Sequence, residues 1–358
     1  MFFQLGMDID LILPLIESAK ERKDLVPIAC VSDQVSNQSP GLLPKLCSLK
    51  IHFEVIRHDE ILSGRRPSLR GMDGLVSASE STANPHRAAH TLTVKANAAG
   101  LRTYTVQHGF ENIGITYFDQ IHNLENIRFA SQTIFTWCPI ERLHESIPEE
   151  TKRKCLPVGC CKNLLTNFDG LARPGDREFL IGVFENLHWH RYDENYRGQF
   201  LRDLIDIAQK FPDTTFVVKP HPAGKWLTHR YQGLLPQETN ILVASPDDPK
   251  WNPYSGQVLV GLADAVITTP STVALDAVRC GCPVGVVGYN LDLKSYDPLP
   301  ILRSKEDWSA FIEQLHSASG KKEFQERGWS FLADVMLPGD ACTRMLNYIS
   351  ADIVGAKL

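Results

Sequence analysis

Short apolar runs alternate with amphipathic stretches along this chain, and the two patterns read as strands and helices respectively. In the first half, strands are predicted at Phe2–Leu5, Val26–Val31, Ile51–Ile56, Leu75–Ala78, Arg102–Val106, Thr133–Thr136 and Cys155–Val158. Helices fall between them around Leu11–Arg22, Gly41–Leu49 and His86–Ala99, the last stopped by Gly100. Asp59–Arg70, polar and glycine-containing, reads as a loop or a short helix. Asn167–Asp176 (NFDGLARPGD) concentrates Gly, Pro and Asp and is the best linker in the chain. A second alternating series follows. Its strands are Phe179–Phe184, Thr214–Lys219, Asn240–Ala244, Ala265–Thr268 and Val284–Val287. Its helices are Gly198–Lys210, Ser255–Leu262, Thr272–Cys280, Glu306–Ser317 and Lys322–Met336.

Strands separated by helices predict parallel sheets covered on both faces. At 358 residues the chain outgrows a single core, which stops growing near ~250–300 residues. Two doubly wound α/β domains are therefore expected, at 1–166 and 177–340, with a cleft between them. Ligands of such sheets bind outside the carboxyl ends of the strands. A polar turn directly after a strand is thus a candidate site on geometry alone.

Composition narrows the partners. A net charge of −5 argues against nucleic acid. The opening MFFQLGMDIDLILPLIESAKERKD lacks a basic leader, and Asp8 and Asp10 break its apolar run. No apolar stretch reaches the roughly 18–20 residues of a membrane span. A cytoplasmic protein is expected, with contact at the inner face of the membrane left open. The nine cysteines include no CxxC pair. Reduced thiols are expected, with neither a zinc site nor any other metal or cofactor.

Four turns carry the candidate chemistry. Lys219-Pro220-His221-Pro222 follows TTFVV, and its prolines stiffen a turn that offers a cation and an imidazole to a phosphate. Thr268-Thr269-Pro270-Ser271-Thr272 follows ADAVI at a helix start, where free N–H groups bind anions. Ordinary capping by Ser271 or Thr269 accounts for the same residues, and the two roles can hold at once, a cap when empty and a phosphate cradle when occupied. Gln107-His108-Gly109 follows RTYTV and brings an acid–base side chain. Ser79-Glu80-Ser81-Thr82 follows GLVSA; Glu80 is a general base or nucleophile there, or else part of a capping box or a solvated loop. A looser group, Glu185 to Arg191 after FLIGVF, sets rings where they stack on a base or sugar or simply pack a loop.

Together, KPHP, the later ADAVITTPSTVALDAVRCGCPVGVV and the earlier QHG resemble the GT-B transferases that build bacterial surface polymers. That group includes teichoic-acid glycerophosphotransferases, polysialyltransferases and capsule Kdo transferases. The resemblance implies two Rossmann-like domains, an acceptor domain before a nucleotide-donor domain, with a final helix over 341–358 packing back on the first. It implies a cytidine-nucleotide donor, CMP-linked and acting as substrate, with its phosphate held at His221, Pro222, Ser271 and Thr272. Lys219 and Thr269 belong to the same two turns. His108 would stand on the acceptor side or near the reacting centre. Thr269 replaces the aspartate usual in the family's ITDYSS-type element, which favours sugar transfer, for instance of Kdo to a glycan or glycolipid, over glycerophosphate transfer. A carboxylate is required as base or nucleophile: Glu80 first, then Asp119, Glu111 and Glu185. Glu80 and His108 are expected side by side, facing the donor. Remaining alternatives are a polyol-phosphate transferase, a nucleotide-sugar 2-epimerase and a non-catalytic glycan-binding protein.

Overall fold

The computed structural model describes residues 1–110, 127–145, 147–164, 170–222 and 224–355. Glu111, Asp119 and the first part of the predicted linker lie outside these residues. The chain divides into two compact units, 1–163 together with 334–358, and 164–333.

The first unit is built on seven strands, β1 (Phe2–Phe3), β2 (Ile28–Ser32), β3 (His52–Ile56), β4 (Gly74–Ser77), β5 (Arg102–Val106), β6 (Thr133–Thr136) and β7 (Cys155–Pro157). They form one parallel sheet in the order β3-β2-β1-β4-β5-β6-β7. The chain winds outward from β1 to β3, then returns to the other side of β1 with β4. Outside the carboxyl ends of β1 and β4 lies the switch point of the sheet. Helices α1 (Ile9–Lys20), α2 (Asp33–Gln38), α3 (Leu42–Ser48), α4 (His58–Leu62), α5 (Arg87–Ala98) and α6 (Glu149–Lys152) fill the connections. Helix α5 buries Ala88, Ala89, Leu92 and Ala96, the i, i+4 stripe of an amphipathic helix, against Phe2, Leu75 and Leu101. It ends at Gly100, whose φ of +77° is the left-handed conformation that a Cβ penalises.

The second unit contains β8 (Phe179–Glu185), β9 (Thr214–Pro220), β10 (Ile241–Val243), β11 (Ala265–Thr268), β12 (Val284–Val287) and β13 (Ile301–Leu302). All pairings are again parallel, in the order β10-β9-β8-β11-β12-β13. This is the Rossmann order, and its switch point falls outside the carboxyl ends of β8 and β11. The helices are α7 (Glu194–Lys210), α8 (Gly256–Leu262), α9 (Val273–Arg279), α10 (Lys305–Leu315) and α11 (Ala318–Val335). Asp193 caps α7 by accepting the Tyr196 N–H at 2.7 Å. The helix then buries Tyr196, Phe200, Leu204 and Ile207 with Trp308 and Phe311 of α10 over Ile181 and Phe216. Each such side chain contributes about 1.5–3 kcal/mol of burial.

The last helix, α12 (Ala341–Gly355), belongs to the first unit. Tyr104 Oη donates to Asp352 at 2.8 Å, Arg344 Nε donates to Val158 O at 2.7 Å, and the Tyr348 ring stands edge-on to Phe135. Among the described residues, no helix is long and apolar enough to cross a membrane. No group of three or more His, Cys, Asp or Glu residues among them could hold a metal ion.

Candidate functional site

In the second unit the sequence motifs meet at the end of one strand. Lys219 and Pro220 are the last residues of β9, and His221 follows. The His221 backbone N–H donates to Glu185 O at the end of β8, 2.9 Å away. The Gly224 and Lys225 N–H groups fold back onto His221 O at 3.1 and 2.8 Å, closing the turn. On the other side of β8, Thr269 donates its N–H to Phe184 O and accepts the Asn186 N–H on Oγ1, both at 3.0 Å. The KPHP turn and the Thr-Thr-Pro-Ser-Thr turn thus flank the carboxyl end of β8, at the switch point.

Burial sets the charges there. It lowers Lys219 below the usual ammonium range and pushes His221 down to about 4, so this imidazole is neutral at pH 7. The ring of His188 stacks on that of His221 with centroids 4.9 Å apart. Burial, then the neighbouring His221, Arg230 and Arg197, push His188 down to about 3. Arg197 straps this loop to α7 by donating to Leu187 O and Trp189 O. Pro222 is exposed. Glu185, a reserve candidate for the reacting carboxylate, is buried and raised by that burial; it accepts the Leu187 and Leu227 N–H groups. It braces the loop. The helix start is smaller than its motif suggested. Helix α9 has seven residues and Thr272 is its N-cap, while Ser271 Oγ accepts the Val273 N–H at 3.1 Å. Ser271 therefore acts as a local cap.

In the first unit, His108 follows β5 and Glu80 follows β4. The His108 Nδ1 donates to Ala78 O at 3.1 Å, which leaves Nε2 as the acceptor nitrogen. Burial lowers this imidazole to about 4. Its ring meets His86 edge-on, and His86 pairs through Nδ1 with Ser81 Oγ. Gln107 fixes the turn: its carboxamide donates to Gly109 O and accepts the Trp137 N–H.

The expected Glu80–His108 pair is corrected by this geometry. The carboxylate of Glu80 is enclosed, with its side chain 0% exposed. Oε1 takes His90 Nδ1 at 2.5 Å and the Ala130 N–H at 2.9 Å. Oε2 takes the Ser131 N–H at 3.2 Å and the Ser131 hydroxyl at 2.8 Å. The imidazole at its side is His90 of α5. A carboxylate with four donors around it is a brace between the turn after β4 and the segment entering β6. Also unforeseen was Asp8, wholly buried beside β1. One oxygen accepts the Gln4 and Leu5 N–H groups at 2.7 and 2.8 Å, and the other accepts the Ser79 hydroxyl. Burial raises its pKa to about 6. Its signal in the sequence was only a charge interrupting an apolar run.

No protein-family model and no curated protein sequence matches the chain. Solved structures do. The S. aureus MnaA–UDP co-structure superimposes with a TM-score of 0.65 at 12% identity, covering 99% of this chain and 96% of that one. UDP-GlcNAc 2-epimerase from Neisseria meningitidis, bound to UDP-GlcNAc, gives 0.63 at 13% identity over 97% of both chains. The wall teichoic acid polymerase TagF gives 0.62 at 14% identity, covering 99% of this chain and 88% of TagF. The fold is GT-B. Two Rossmann-like units with seven and six parallel strands are its two halves. Identities this low establish fold alone, because function resides in the site rather than in the fold.

Proposed function

We propose that the chain is a glycosyltransferase that takes a sugar from a nucleotide-activated donor bound at the β8–β11 switch point of the second unit. The observation that carries this reading is the pair of turns held to one strand end, through His221 N to Glu185 O and Asn186 N to Thr269 Oγ1. An imidazole, a lysine and hydroxyls gathered there suit a phosphate, whose developing charge on the leaving group needs fixed donors. The donor is CMP-linked and Kdo is a fitting sugar, on the motif resemblance; the acceptor is a bacterial surface glycan or glycolipid met at the cytoplasmic face of the membrane. His108, with Nε2 as acceptor, fits the base that takes the acceptor proton. With Glu80 enclosed, His108 is the better choice among the described residues.

A second reading is a nucleotide-sugar 2-epimerase. It is favoured by the neighbours, since one of the similar structures named above is a UDP-GlcNAc 2-epimerase that aligns over 97% of both chains. TagF keeps a polyol-phosphate transferase in view. Two measurements separate transfer from epimerisation. A thermal-shift panel of CMP, CDP, UDP and GDP identifies the base, because a ligand of the native state raises its apparent stability. NMR of the protein with UDP-GlcNAc alone reports epimerisation, which needs no acceptor. Stabilisation by CMP or CDP above UDP, with no epimer formed, supports the transferase. Accumulation of a C2 epimer overturns it.

A further inference from the structure

His188 stands just beyond β8, where its ring packs against two other rings. Its ring lies face to face with that of His221, the planes 28° apart, and its edge meets Trp189. A Cβ on Gly224 would overlap the His188 ring, so this glycine makes the room in which the ring lies. Nδ1 is enclosed and has no hydrogen-bond partner among the described residues, while the residue as a whole is partly exposed. An enclosed N–H without an acceptor is costly. The tautomer with its hydrogen on Nε2 avoids that cost and makes Nε2 the donor.

The surroundings specify what such a donor would meet. Arg197 of α7 and Arg230 of the helical turn Trp226–Arg230 both act on His188 electrostatically, and Lys219 precedes the stacked His221 by two positions. Of the nearby anions, Glu185 is bonded to two backbone N–H groups and the exposed Glu194 pairs with Arg197 at 2.5 Å, which leaves Arg230 and Lys219 as the main source of positive charge. A positive field around uncharged N–H donors attracts an anion rich in acceptor oxygens.

We propose that His188 is a phosphate-binding residue that donates from Nε2, beside His221, to the oxygens of a diphosphate. The assignment rests on the reading of the second unit as a nucleotide site. Stacking holds the two rings in fixed planes, so the donors are arranged before the ligand arrives and little ordering cost remains at binding.

The test is calorimetric titration of the whole chain with inorganic pyrophosphate, CDP and UDP. His188→Ala is expected to weaken pyrophosphate binding about tenfold to a hundredfold, the range for one hydrogen bond to a charged group. Gly224→Ala keeps both histidines but displaces the His188 ring, and is expected to weaken binding likewise. His188→Gln retains an N–H donor and is expected to lose less. Wild-type affinity in both His188→Ala and Gly224→Ala overturns the assignment. If circular dichroism shows His188→Ala to be unfolded, His188→Gln and Gly224→Ala decide on the same criterion. A wild-type protein that binds none of the three probes overturns the nucleotide-site reading itself, an outcome distinct from variants that bind as well as wild type.

Discussion

Thr269 Oγ1 accepts the backbone N–H of Asn186 at 3.0 Å, and this bond ties the turn after β11 to the end of β8. Thr269 is fully buried and Asn186 nearly so, so no water replaces the bond if the hydroxyl is removed. Thr269→Val keeps the shape and removes the acceptor. A buried N–H left unpaired costs about 1–3 kcal/mol. The variant should melt at a lower temperature and bind nucleotide more weakly, and Thr269→Ser should restore both. A Thr269→Val protein as stable as wild type would show that the bond does not hold the turn.

Glu80 makes the opposite kind of prediction from a catalytic carboxylate. Its four donors come from His90, Ala130 and Ser131, and Glu80→Ala leaves them facing a void. Each buried donor left without an acceptor costs about 1–3 kcal/mol. Chemical denaturation should therefore show a large loss of stability, while the folded fraction binds nucleotide in the second unit as wild type does. A variant that stays stable yet loses turnover would return Glu80 to the reacting centre.

The limits of reading the sequence are visible in the same residues. The ends of β4, β8 and β11 could be placed because each is a mainly apolar run with a polar turn directly after it, the signature of a buried parallel strand; β5 (RTYTV) was placed by its β-branched and aromatic residues and the QHG turn that follows. The two-residue β13 is too short to show any period. Helix α2 (DQVSNQ) has one buried apolar residue, Val35, so no stripe announces it; the Ser32 side chain that accepts the Val35 N–H was its one signal. Partners across the fold left no trace at all. Glu80 and His90 are joined because α5 crosses back over β4, and His188 meets His221 because β8 and β9 are neighbours. Such pairings are tertiary, and no local spacing encodes them.

His108 is the group whose loss should act on the chemical step. Its Nε2 is the acceptor nitrogen because Nδ1 donates to Ala78 O. His108→Gln should lower transfer by about a hundredfold, the scale of acid–base catalysis, and leave nucleotide affinity unchanged. Burial lowers this imidazole to about 4, so as the proposed base it is unprotonated from pH 8 down to the region of pH 5. Activity dependent on it is lost only as pH falls through that lowered value. An acidic limb near the ordinary histidine value of about 6.5, unchanged in His108→Gln, would assign the titration to another group.

Asp8 reverses the usual pH dependence of a carboxylate. Its pKa is raised to about 6 by burial, against the ordinary value of 3.8, so the folded chain holds its proton more tightly than the unfolded chain does. Its contribution is therefore most favourable below pH 4 and declines as pH rises through 6, where the buried carboxyl must ionise. His108, His188 and His221 work the other way. All three are lowered by burial, so their contribution is intact above about pH 6.5 and falls as the solution is acidified toward their folded values. Asp8→Asn separates the two effects. Both N–H groups of Gln4 and Leu5 go to one carboxylate oxygen, which the Asn carbonyl can replace, and the amide can donate to the Ser79 hydroxyl in place of the second oxygen. With its hydrogen bonds kept and its charge gone, Asp8→Asn should be more stable than wild type at pH 8, by at most about 3 kcal/mol. The advantage should shrink to nothing by pH 4, where wild-type Asp8 is itself neutral, and the acid-side loss due to the histidines should remain. Urea denaturation of both proteins at pH 4, 6 and 8 measures this; an Asp8→Asn variant less stable than wild type at pH 8 would mean that the ionised carboxylate, and not the neutral acid, is what this loop is built around.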